Sequence, residues 1–271
     1  MILIFLAALS SVGVSVLLKR YAPIHILPVL VWNYLVATLL CFLWFKPQFN
    51  QSIVWWLIVV CAVLLPSIFY LLAQSLKYAG LVKTEIAQRL SVVVSLSAAY
   101  FIFNDHFSDT KLLGIGLGVL SIIGLISKKE KQTLTQKGIL ALICVWLGYA
   151  LVDVLLKYNS SLGQNFSASL NLIFLGAFIL TLLSTFFKRQ SLFTKHTFSL
   201  GGSIGVLNFL NIALYVMAHR VNAPSTVFLT MNLSVVLIGT LLGVVYFKEK
   251  LTPIMGVSLI FECSAITCLV F

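Results

Sequence analysis

The chain has 271 residues, of which 61% are apolar and 9% charged, against about 25% charged in an ordinary soluble domain, so water cannot be the solvent for most of its surface. Its net charge of +11 comes from 18 Lys and Arg, but these gather in short segments between apolar runs and form no basic stripe with interleaved aromatics, which argues against a nucleic-acid binder. The runs do not alternate polar and apolar as the strands of a membrane barrel do, which leaves helices.

Roughly 20 apolar residues cross the hydrocarbon core as one helix, and on that measure the chain predicts spans near 2–18, 26–45, 53–74, 82–103, 112–127, 137–156, 168–187, 199–217, 224–247 and 252–271. The first run has no basic segment before it, and Lys19 and Arg20 follow it, so it reads as a retained span and not a cleaved leader. The breaks carry turn chemistry or charge: Lys46-Pro47, Tyr78-Ala79-Gly80, Asn104-Asp105, 128–137, 160–164, 188–197 and Asn222-Ala223-Pro224. Cys41, Cys61, Cys144, Cys263 and Cys268 lie within spans without CxxC spacing, and no His/Glu metal motif occurs, so neither a metal nor any other cofactor is expected. Most Lys and Arg fall in the odd-numbered connections, Arg89 being assigned to its nearest loop; positive loops stay cytoplasmic, which puts both termini outside.

A repeat runs through the chain. Val14-Ser15-Val16-Leu17-Leu18-Lys19 recurs as Val152-Asp153-Val154-Leu155-Leu156-Lys157, and the same displacement superposes Asn33 on Asn171. Asp105-His106-Phe107-Ser108 before Gly114 mirrors Glu249-Lys250-Leu251-Thr252 before Gly256, each read as an acidic cap opening the last helix of a half, and at that displacement Gln88 falls on Asn232. Five spans per half turn the second copy upside down. The expectation is an all-α polytopic membrane protein of ten transmembrane helices, arranged as two inverted five-helix repeats, 1–127 and 137–271, joined by the loop 128–136, with a site between them near mid-bilayer.

Phe247-Lys248-Glu249-Lys250-Leu251-Thr252-Pro253 leading to Gly256, its first-half counterpart Asn104-Asp105-His106-Phe107-Ser108, and Trp146 with Gly148 resemble the drug/metabolite transporter superfamily, specifically its ten-span EamA-like members. The resemblance covers the whole chain and implies this fold and a transport role, but no substrate. Many members carry a Pro partway along the fourth and ninth helices, where this chain has Leu90 or Ser91 and Leu233 or Ser234. Typical members also have a basic second loop, which implies termini inside; here that loop has only Lys46. Small four-span relatives use a Glu in the first helix eight residues before a Lys. Ser11 stands at that position before Lys19 and Tyr149 before Lys157, so their proton-for-cation exchange gains no support.

Ionisable groups within a span cost several kcal/mol and mark pathways or partners. Glu85 and Arg89 are one turn apart, and Thr84, Gln88, Ser91 and Ser95 extend a polar stripe along the same helix. The functional reading gives Arg89 a carboxylate or phosphate, with Glu85 holding it or meeting an amine; the alternative is a structural ion pair near the interface. Glu262 sits mid-span without an ionisable neighbour in sequence, and is a candidate proton carrier or a dimer contact. Asp153, one turn before Lys157, is a second coupling candidate or a stabilising pair at the interface. Asn208, Asn211 and Tyr215 share a helix face and, with Asn232, are expected to line the cavity. Pro66 is a possible hinge, and Gly114, Gly116 and Gly118 are read as a packing surface for a close helix contact.

These features point to a secondary transporter in a bacterial inner membrane, exporting or exchanging a small polar metabolite such as an amino acid by alternating access. Its expected partners are the small-molecule substrate and membrane lipid, and its state monomer or homodimer. A flippase of a lipid-linked substrate on the same fold is the alternative, marked by a lateral opening and an amphiphilic cavity. An intramembrane enzyme is disfavoured, because His25, His106, His196 and His219 sit in loops or at helix ends with no catalytic cluster. A channel lacks its rings of acidic residues.

Overall fold

A computed structural model describes residues 1–22, 25–49, 53–91, 93–94, 109–126, 135–221 and 224–270. These form helices α1 (Ile2–Tyr21), α2 (Ile26–Phe45), α3 (Trp55–Tyr78), α4 (Leu81–Arg89), α5 (Asp109–Ile126), α6 (Gln136–Ser161), α7 (Phe166–Phe187), α8 (Lys195–Val221), α9 (Pro224–Val245) and α10 (Pro253–Val270), with no strand among the described residues. Six of them, α1, α2, α3, α6, α7 and α8, are long and apolar enough to cross a membrane. The fourth predicted span is described as the nine residues of α4; most of the remainder, with Ser95, the Asp105 junction and the greater part of the loop 128–136, lies outside the described residues.

Local chemistry explains where helices stop. Ala22 and Lys46 take left-handed conformations after α1 and α2, and Asn165 caps α7 by accepting from Ser167 N–H at 3.0 Å and Ala168 N–H at 3.4 Å. Pro66 lies inside an unbroken α3. Exposed Trp44, Trp55 and Trp56 ring one end of the bundle and Tyr21 and Tyr246 the other, where indole and phenol suit a bilayer interface.

The connections sort onto two faces. Gln190 Nε2 lies 3.3 Å from His25 Nδ1, Tyr21 stacks edge-on against His196, and Lys19 pairs with Glu249. The α1–α2, α3–α4, α7–α8 and α9–α10 connections therefore meet on one face, which carries Lys77, Lys188, Arg189, Lys195, Lys248 and Lys250 as well.

Helix contacts also pair under a shift of five. α2–α7, α4–α9 and α5–α10 map onto themselves; α1–α8 exchanges with α3–α6, α2–α8 with α3–α7, and α1–α9 with α4–α6. A close crossing joins α8 to α2, where Gly201 and Gly205 lie against the backbone of Val29 and Asn33, and a Cβ at Gly205 would stand 2.7 Å from the Asn33 carbonyl oxygen. Small residues four apart let helix backbones touch. The glycines expected to serve this way in α5 do so only in part: Gly118 abuts the Val93 side chain, whereas Gly116 faces open space.

Candidate functional site

The site is built from the start of α4. Gly80 has φ 93° and ψ 172°, a region open essentially to glycine alone, and a Cβ there would meet Glu249 Oε1 at 2.9 Å. The bare backbone lets the Glu249 carboxylate close on the first turn of α4, accepting from Leu81 N–H at 2.5 Å and Val82 N–H at 3.0 Å. Lys19 completes the pair, its ammonium 4.5 Å from the centre of the Phe247 ring. Glu249 thus satisfies donors that a helix start leaves free and sits where the helix dipole favours an anion. This corrects the expectation that Glu249 caps the last helix. α10 begins at Pro253, and Thr252 Oγ1 accepts from Met255 N–H at 3.4 Å.

One turn further in, satisfaction ends. Glu85 is 1% exposed and neither carboxylate oxygen has a hydrogen-bond partner. Ser15 lies beside it without reaching hydrogen-bond geometry. Gly239 of α9 lets it in, since a Cβ there would stand 2.8 Å from Glu85 Cγ. Arg89 lies within electrostatic range of Glu85 but closes no ion pair with it. Its Nη2 donates to Ser11 Oγ at 2.6 Å, and its Nε is buried without a partner. Glu262, fully buried on α10 with both oxygens unpartnered, lies within electrostatic range of Arg89 and of Glu85.

Depth follows from helical rise. At about 1.5 Å per residue, Arg89 lies roughly 12 Å beyond Leu81, Ser11 roughly 12 Å before Lys19 and Glu262 roughly 14 Å beyond Pro253. All three distances match half of a hydrocarbon core about 30 Å thick. α4 comes from one half of the chain and α10 from the other, so both halves contribute charge at one level.

The remaining candidates divide. Tyr215 lies within electrostatic range of Arg89 and Asp153. Asp153 is exposed, and its Oδ2 accepts a long hydrogen bond from Ser91 Oγ at 3.4 Å. Gln88 adjoins Arg89 in sequence, with its Oε1 buried and unpartnered. Asn232 is buried on α9. α9 runs antiparallel to α4, with Gly243 against Val82 and Gly239 against Glu85, so Asn232, two turns before Gly239, lies towards the far end of α4. Asn208 and Asn211 share α8 with Tyr215, and Asn208 Nδ2 and Asn211 Oδ1 are buried and unpartnered. Among the described residues no hydrogen bond joins either to Arg89.

Three comparisons bear on this arrangement. The profile of the EamA-like transporter family matches residues 1–127. An uncharacterized protein of Haemophilus influenzae is 35% identical over 98% of this chain and 96% of its own length. The chain belongs to the EamA-like transporter family. A solved crystal structure shares its fold, with a TM-score of 0.66 at 10% identity over 98% of this chain and 94% of that one. The protein is accordingly an integral membrane transporter of the drug/metabolite superfamily.

In this EamA-like chain Trp146 and Gly148, on which part of the sequence resemblance rests, hold helices together. Trp146 Nε1 donates to the Leu90 carbonyl oxygen at 2.9 Å, closing the end of α4, and Gly148 lets α6 approach Ile68 of α3. Three residues at the cluster are not among those the sequence marks as binding: Ser11, Ser15 and Tyr149. Tyr149 lies within electrostatic range of Arg89, Glu85 and Asp153. Ser11 and Tyr149 each stand eight residues before a Lys, Lys19 and Lys157. The signal was present in α1 as Ser11, Ser15 and Lys19, a polar line at four-residue spacing.

Proposed function

We propose that this EamA-like protein is a secondary transporter that exports or exchanges a small polar metabolite of the amino-acid class. The observation that carries the reading is the cluster of Arg89, Glu85 and Glu262, buried at mid-membrane with five side-chain atoms unpartnered: Arg89 Nε and the four carboxylate oxygens. Buried polar groups are ordinarily hydrogen-bonded, and leaving charged ones unpaired is costly. A ligand bearing both a carboxylate and an ammonium supplies the missing partners at once. Arg89 takes the carboxylate through its planar donors, Glu85 takes the ammonium, and Glu262 carries a proton when the site empties. Gln88, Asn208, Asn211, Tyr215 and Asn232 line the chamber, and Asp153 stands as a second proton site at its open end.

The helices divide into halves 1–127 and 137–271, joined by 128–136, which rock about the cluster. The pairing of helix contacts under a shift of five supports this division, as inverted repeats exchange conformations in alternating access. The Lys19–Glu249 latch joins the halves on the basic face and shuts it, while the exposed Asp153 marks the way out on the other. The charge bias favours a cytoplasmic basic face in a bacterial inner membrane, with both termini outside.

The test is uptake and efflux of a labelled metabolite panel in proteoliposomes, with and without a pH gradient. Wild type is expected to carry an amino-acid-like solute, Arg89→Ala to fail, and Glu262→Gln to exchange it without responding to the gradient. Transport of that solute by both variants at the wild-type rate and gradient dependence would refute the assignment.

A further inference from the structure

A second site lies away from the cluster. A groove of about 940 Å³ opens on the basic face between the end of α1, the start of α2, α3 and the end of α7, and none of its lining residues comes from α4, α9 or α10. Its wall is mixed, with Val63, Pro66 and Leu71 of α3 forming an apolar strip beside Gln74, Thr181 and Ser184. Lys77 and Lys188 stand exposed at the mouth beside His25, and no Asp or Glu lines the groove. Gln190 turns its Nε2 towards His25 and leaves its Oε1 buried and unpartnered.

We infer that this groove binds one anionic phospholipid whose headgroup carries hydroxyl donors, with phosphate at Lys77 and Lys188, a headgroup hydroxyl at Gln190 and an acyl chain along α3. Depth favours a lipid over a free anion. From Lys77 back to Val63 the wall runs roughly 21 Å along α3, more than the depth of one leaflet in a core about 30 Å thick. Val63 and Tyr70 are about half exposed along that wall, so the groove is open sideways, where lipid enters; this lateral opening, the mark of the flippase alternative, belongs to a groove that shares no lining residue with the Arg89 cluster. Two lysines unopposed by any lining carboxylate set the sign of the headgroup, and lysines near a membrane surface attract anionic lipid.

Delipidated protein in detergent, titrated with phosphatidylglycerol or phosphatidylcholine of identical chains and read by native mass spectrometry, tests this. Phosphatidylglycerol is expected to bind roughly tenfold tighter or more. The preference should vanish in the double variant Lys77→Gln, Lys188→Gln and persist in the control Lys248→Gln, Lys250→Gln. Ser67→Trp, which fills the groove without changing charge, should weaken both lipids. Equal binding of the two lipids, equal loss in the control, or indifference to Ser67→Trp would overturn the site. Displacement by millimolar inorganic phosphate would assign it to a free anion and overturn the lipid. These readouts do not involve the Arg89 cluster, so the two assignments stand or fall separately.

Discussion

Glu249 and Glu85 are carboxylates at opposite ends of one short stretch of α4, and they are treated in opposite ways. Glu249 has a lysine and two backbone N–H donors, bought by a glycine at the one position where a Cβ would intrude. Glu85 is more deeply buried and has no hydrogen bond at all. Arg89 repeats the contrast within one side chain, with Nη2 satisfied by Ser11 and Nε left bare. The latch is finished without a ligand, and the cluster is not. A satisfied network holds one conformation, whereas groups left short of partners gain most from a solute that brings them.

Breaking each region in turn should separate these roles. The largest effect is expected from Arg89→Ala. Loss of a charge-assisted pair worth about 3 kcal/mol lowers substrate affinity on the order of 100-fold, measured by binding to purified protein. Glu249→Gln should act the other way round, costing about 1–3 kcal/mol of stability in a denaturation series while the purified protein still binds substrate. Gly80→Ala is expected to cost about 1–3 kcal/mol from the backbone region alone, and because that strain persists whatever residue stands at 249, this part should add to Glu249→Gln in the double variant. The smallest change belongs to Gly116→Ala, which has open space for its methyl group and should be neutral or stabilising by up to about 1 kcal/mol through helix propensity.

Much of the fold was legible because membrane insertion demands long apolar runs, and runs can be counted. The expected second span, 26–45, coincides with α2, and most other limits fall within a few residues. Helix ends on the basic face ran longer than hydropathy suggested, as in α8, which starts at Lys195 within a segment read as a break. Charged residues can extend a helix beyond the hydrocarbon, so polarity marks the membrane edge and not the helix end. Glu85, Arg89 and Glu262 stood out because charge in a span is rare. Ser11, Ser15 and Tyr149 did not, since a hydroxyl in a span is common and its importance lies in which helix faces it. The reach of Glu249 to α4 was hidden for a related reason: the acid and the N–H groups it satisfies are far apart in sequence, and only the Gly80 between two spans hinted that something approached closely there.

In the proposed mechanism, Lys19 and Glu249 shut the chamber from the basic face. The direct test replaces the five native cysteines, introduces Ser11→Cys beside Arg89, and measures its labelling by a membrane-impermeant thiol reagent applied to either face of sealed, oriented vesicles. Labelling should occur from the face away from the basic loops and be slow from the basic face, rising there when Glu249→Gln is added. Rapid labelling from the basic face with the latch intact, or no response to its removal, would contradict the account.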